Sequence, residues 1–115
     1  MQAVRRAPRA AGETTITVGP LTLDLQGYAV TVDGTDVFLT VSVFVLLGAL
    51  ARNPYRVLDR ASLWALVQSG HVSGEPESRA LRAIDRHVAH LRKKLGAAGY
   101  EGIQTMRNVG YRLVP

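Results

Sequence analysis

The chain divides by the rhythm of its apolar positions. From Thr15 to Leu39, apolar and polar residues alternate in short runs: Ile16 and Val18, then Gly19-Pro20, then Leu21, Leu23 and Leu25, then Gly27. Period two with Gly and Pro between the runs predicts β-strands that bury one face. Ala29 to Val32 predicts a further strand, and Asp33-Gly34 ahead of Val37, Phe38 and Leu39 is the dipeptide that favours a two-residue hairpin turn. The chain therefore opens with a small antiparallel sheet of three or four strands.

Beyond Leu39 the period lengthens. Thr40 can cap a helix running to about Ala51, stopped by Arg52-Asn53-Pro54. Phe44, Leu47 and Ala51 suffice for its core stripe, which leaves Val41 and Val45 spare. Val43 stands where a capping box would place Glu, so the reciprocal half of the cap is missing. The spare valines make Val41 and Val45 a candidate contact with a partner domain or a second protomer. Asp59 caps a second helix through Leu63, Trp64, Leu66 and Val67 that ends near Gly70, and a polar loop follows from Gln68 to Glu77.

A third helix is expected from about Arg79 to Leu95, preceded by Ser78 and closed by Gly96 as its C-terminal glycine. Leu81, Ile84, Val88, Leu91 and Leu95 recur at spacings of three and four, so they share one buried stripe. At 100° per residue the opposite side holds Arg79, Arg82, Arg86, His90 and Lys93. Asp85 and Arg92 fall on one flank, His87 and Lys94 on the other. Ile103 to Met106 and Tyr111 to Val114, around Arg107-Asn108-Val109-Gly110, predict a closing hairpin. The order is sheet, three helices, hairpin: an α+β domain over residues 15–115, with residues 1–14 read as a flexible linker or tail.

Charge sharpens this picture by where it sits. The 115 residues carry a net charge of +5, but residues 13–78 are acidic, at −4, while residues 79–95 hold six cations and one acid. A solvated helix face mixes signs, placing acids where they pair with cations one turn on. Here Asp85 is the lone acid, as suits a footprint for a polyanion. Cations on such a face can reach phosphates on both walls of a DNA groove while central positions meet base edges.

Composition removes other classes. There is no cysteine, so disulfides, thiolate nucleophiles and Cys-ligated zinc are excluded. His87 and His90 lie three apart on one helix but lack a third ligand, so no metal site is expected. No glycine loop precedes a helix to cradle phosphate, and no base is arranged near a Ser or Thr. Neither an enzymatic activity nor a cofactor is expected. The most apolar run, Val37 to Ala51, is too short to span a bilayer, so the expected setting is the cytoplasm, without membrane contact. RNA or nonspecific nucleic-acid binding would favour exposed aromatics, and most of the few present read as core or hairpin residues.

Two stretches carry a family resemblance. Ile84-Asp85-Arg86-His87-Val88-Ala89-His90-Leu91-Arg92-Lys93-Lys94-Leu95 resembles the recognition helix of OmpR/PhoB-type effector domains of bacterial response regulators, and Gln104 to Leu113 resembles their C-terminal wing. Leu39-Thr40 with Phe44, Leu46 and Leu47, and the stretch from Ala51 to Arg60, are similar to the first two helices. The resemblance implies a winged helix-turn-helix that binds double-stranded DNA in sequence-specific fashion for a transcriptional regulator of a two-component system. It implies phosphate contacts at Arg82, His87 and Arg92, a base contact or cation-orienting role at Asp85, and a minor-groove contact at Arg107. Arg79, Arg86, His90 and Lys93 complete the expected major-groove surface.

The same resemblance implies a dimer on direct-repeat DNA. It also makes the loop holding His71, Glu75 and Glu77 a candidate contact with RNA polymerase. Nothing before Thr15 has room for a receiver domain, so the chain reads as a fragment of a two-domain regulator with its receiver missing, the tail of some other fused domain, or a stand-alone binder. The competing reading is a protein-interaction winged-helix module.

Overall fold

A computed structural model describes residues 14–68 and 78–115. Strands β1 (Thr15–Val18), β2 (Leu21–Asp24), β3 (Ala29–Val32) and β4 (Thr35–Val37) form one antiparallel sheet in chain order. The turns decide the register. Asp33 and Gly34 take φ of 50° and 83°, the paired left-handed angles of a type I′ turn, and Val32 pairs with Thr35 across it. With the register set, Leu21, Leu23, Val30 and Val32 all point to one face and are buried. β4 stops at Val37, one residue short of Phe38, which lies 76% exposed rather than on a buried strand.

Helix α1 (Val41–Ala51) begins where Thr40 Oγ1 accepts from the Val43 amide. It is buried on more sides than its predicted stripe: Val43, Leu46, Gly48, Ala49 and Leu50 are buried besides Phe44, Leu47 and Ala51. The sheet, the other helices and the last strand all pack on it. Helix α2 (Arg60–Val67) starts under the Asp59 cap, whose Oδ1 accepts from the Ser62 amide at 2.7 Å. It ends at Val67 rather than near Gly70.

Helix α3 (Ser78–Ala97) anchors through Ile84, Val88, Leu91 and Leu95, all buried. Leu81 is only half-buried, because it faces a cleft between α2 and the hairpin instead of the core. The helix runs through Gly96. Its left-handed terminal residue is Gly99 (φ 97°), and the Tyr100 and Gly99 amides close back on the Leu95 and Gly96 carbonyls. The terminator is thus Gly99, three residues later than expected. Strands β5 (Ile103–Met106) and β6 (Gly110–Leu113) complete the fold as a hairpin joined to Leu58 by a β-bridge at Tyr111. The core is wholly apolar among the described residues.

Candidate nucleic-acid interface

With its leucines buried, α3 has no choice about which side faces outward. Arg79, Arg82, Arg86, His90, Lys93 and Lys94 are all exposed. Among the described residues the one ion pair is Arg60 with Asp85, so none of these six side chains is held by a carboxylate there. Arg82 and Arg86 sit one turn apart, an arrangement that repels by a few tenths of a kcal/mol in water and is relieved by bound phosphate.

His87 is half-buried on the flank of this row. Burial, then the neighbouring Arg86 and His90, hold its imidazole below the ordinary value of 6.5, since each disfavours a second cation. An anion against this face would reverse that preference.

The other flank is engaged within the protein. Asp85 accepts from Arg60 Nη1 at 2.9 Å and from Tyr111 Oη at 2.6 Å, so both its carboxylate oxygens are occupied. The cation it orients is therefore on α2 and not on its own helix. Arg92 donates to the Ile103 carbonyl and to Thr105 Oγ1, with its guanidinium carbon 5.7 Å from the Tyr111 ring centroid. Its hydrogen-bonding groups are turned toward the hairpin. Burial first, then the bond to Asp85, push the Tyr111 phenol up to about 12, so it remains a donor.

Arg107 is exposed at the hairpin tip. Asn108 beside it takes φ 65° in a turn closed by the Val109 amide on the Met106 carbonyl, the position where a side chain other than Asn or Gly would be strained.

Arg60 and Tyr111 escaped the sequence reading because they lie 25 and 26 residues from Asp85. The usable signal was an isolated acid on a basic helix. Val41 is 62% exposed, whereas Val45 is half-buried, so the spare apolar face of α1 is narrower than expected. Phe38, Tyr28 and Tyr55 are the exposed aromatics among the described residues, and none lies on α3. His71, Glu75 and Glu77 fall outside the described residues. Among the described residues no three His, Asp or Glu side chains gather as metal ligands, and no helix is long and apolar enough to cross a membrane.

A sheet, a helix-turn-helix with an outward cationic second helix and a hairpin beside it define a winged-helix domain. The chain belongs to the OmpR/PhoB-type family of transcriptional-regulator DNA-binding domains: the family model described as "Transcriptional regulatory protein, C terminal" matches residues 34–113. It is 36% identical over 110 residues to the transcriptional regulatory protein PrrA of Mycobacterium tuberculosis, covering 95% of this chain and 45% of that protein. The phosphate regulon transcriptional regulatory protein PhoB of Pseudomonas aeruginosa is 33% identical over 109 residues, with 95% and 45% covered.

Among solved structures, the Klebsiella pneumoniae RstA DNA-binding domain in complex with the RstA box matches with TM-score 0.74 and 31% identity, over 90% of this chain and 99% of that one. The DNA-binding domain of CpxR from E. coli matches with TM-score 0.71 and 31% identity, over 87% and 95%. The chain spans less than half the length of both curated relatives.

Proposed function

We propose that α3 lies in the major groove of duplex DNA, with Arg79, Arg82, Arg86, His90 and Lys93 toward it, His87 at its edge, and Arg107 in the adjacent minor groove. The observation that carries this reading is the outward row of α3 cations above an apolar anchor, with no acid of the described chain neutralising it. Arg82 and His87 serve as phosphate contacts, the roles that the family resemblance implies for them. Arg86, at the centre of the outward row, and His90 beside it serve as base contacts. Asp85 and Arg92, both occupied by neighbours, serve to hold the surface in shape.

The domain works as the effector end of a response regulator in the cytoplasm, without a catalytic role of its own, coupled to a signal-receiving domain elsewhere in a longer protein. Two copies occupy direct repeats about one helical turn apart. Val41 belongs to an association surface, and the segment with His71, Glu75 and Glu77 contacts RNA polymerase, as the family resemblance implies.

Selecting bound duplexes from a random pool tests the division of roles. Arg86→Ala or His90→Ala should change the base preferred at one or two positions, and Arg82→Ala should weaken every duplex alike. Uniform losses in all three variants would contradict the assignment.

A further inference from the structure

Four side chains from three elements meet beside the groove-facing helix. Asp85 on α3 is held by Arg60 of α2 and by the hydroxyl of Tyr111 on β6. Seven residues along α3, about two turns on, Arg92 lies over the ring of the same Tyr111 and donates into β5. Tyr111 is therefore gripped by α3 at two heights, through its hydroxyl and through its ring face.

At the hydroxyl end the elements do not pack flush. The cleft among the start of α2, α3 and the turn of the hairpin is open there, lined by Arg60, Leu81, Asp85, Arg107, Asn108 and Tyr111. Close to its turn the hairpin is pinned to a different segment, the one before α2, by mutual backbone hydrogen bonds of 2.8 and 3.0 Å between Leu58 and Tyr111. That anchor ties the hairpin to the segment before α2 and not to α3, so at this end the side chain of Tyr111 makes the hydrogen bond between α3 and the strand leaving the Arg107 turn. The bond from Tyr111 to Asp85 spans that gap.

We propose that the Arg60, Asp85 and Tyr111 strut fixes how far the Arg107 turn stands from α3, and so matches the minor-groove contact to the major-groove one. Asp85 and Tyr111 are positioning residues for DNA binding, and this rests on the assignment of α3 and Arg107 to the two grooves. The Arg60 and Asp85 side chains are 43% and 40% exposed, and ion pairs so exposed add little to stability. Their contribution is geometric.

A double-mutant cycle separates this from a structural role. Arg107→Ala in the parent domain should weaken binding to a selected duplex about ten-fold, and in the Tyr111→Phe background less than about two-fold, because an untethered turn no longer delivers the arginine. Tyr100→Phe removes a comparable hydroxyl bond, to the Val114 carbonyl at the open end of the hairpin, and there Arg107→Ala should keep its full effect. Hydroxyl-radical footprints should lose minor-groove protection with Tyr111→Phe, while major-groove guanine protection persists.

Equal Arg107→Ala losses in the parent and Tyr111→Phe backgrounds would overturn the strut and leave the groove assignment standing. An Arg107→Ala variant that binds like the parent would remove the minor-groove contact, and the strut with it.

Discussion

Gly110 sits so close to Leu58 that a Cβ built on it would stand 2.0 Å from the Leu58 carbonyl oxygen and 2.8 Å from the Asp59 Cα. Both obstacles are backbone, so no rotamer change relieves the clash. The contact is where the hairpin joins the segment leading into α2, through the amides and carbonyls of Leu58 and Tyr111. Gly110→Ala should therefore destabilise the domain by at least about 2 kcal/mol, as overpacking against immovable atoms does. Thermal melting reads this as a large drop in Tm, and a drop of less than about 2 °C would contradict the close approach.

Asp59 gives a pH signature. Its carboxylate caps α2 at Ser62, whose side chain first and amide second hold it below its ordinary value of 3.8. A carboxyl lowered in the folded state adds stability that is present above the unfolded value and is lost as pH falls through the folded one. Asp59→Ala should cost about 1 kcal/mol at neutral pH. In urea titrations the gap between parent and variant should close as pH falls below the ordinary carboxylate range. A gap unchanged in acid would mean that the charge is not what caps the helix.

His87 gives a second pH signature, on the face proposed to meet DNA. Its folded value is lowered, so between that value and 6.5 the unfolded chain binds the proton and the folded one does not. Stability of the free domain should rise with pH through that window and fall on acidification. Duplex binding runs the other way, because phosphate favours the imidazolium. Affinity should increase at least about three-fold from about pH 7.5 to about pH 6, given that a tenfold difference in proton affinity between free and bound domain would give roughly ten-fold at the limit. His87→Gln should flatten the profile, and a variant that keeps the parent's pH dependence would take His87 out of the contact.

Val41 is exposed where Val45 is not, so it is the cleaner probe of association. Val41→Glu should leave Tm and single-site affinity nearly unchanged, as surface substitutions within about 0.5 kcal/mol do. On tandem sites the variant should bind the second copy less well. Equal tandem binding by parent and variant in a gel-shift titration would leave Val41 without a partner.

Much of the fold was legible because its signals are local. Asp33-Gly34 specifies its own turn, Thr40 and Asp59 specify caps, and the leucine spacing of α3 specifies which side is buried. The features that were misjudged depend on distant neighbours. α1 is apolar at most positions, so no periodicity within it reveals that nearly every side meets another element. Gly96 and Gly99 are equally able to end a helix, and the choice falls to whichever lets Tyr100 bury against the core. A helical projection places Asp85 and Arg92 on a flank but says nothing of Arg60, Tyr111 or Ile103 waiting there. Asn108 announced its left-handed angle by residue type, whereas Tyr28 and Tyr55 adopt theirs (φ 54° and 72°) with no such signal.

Outward cations on α3 that neutralise DNA phosphates would make duplex binding strongly salt-dependent. Duplex affinity measured against salt concentration tests this most directly. Each phosphate neutralised adds about −0.9 to the slope of log affinity against log salt, so six to eight contacts predict roughly −5 to −7, and Arg82→Ala should reduce the slope by about one. A slope near zero, or one that Arg82→Ala leaves unchanged, would contradict the account.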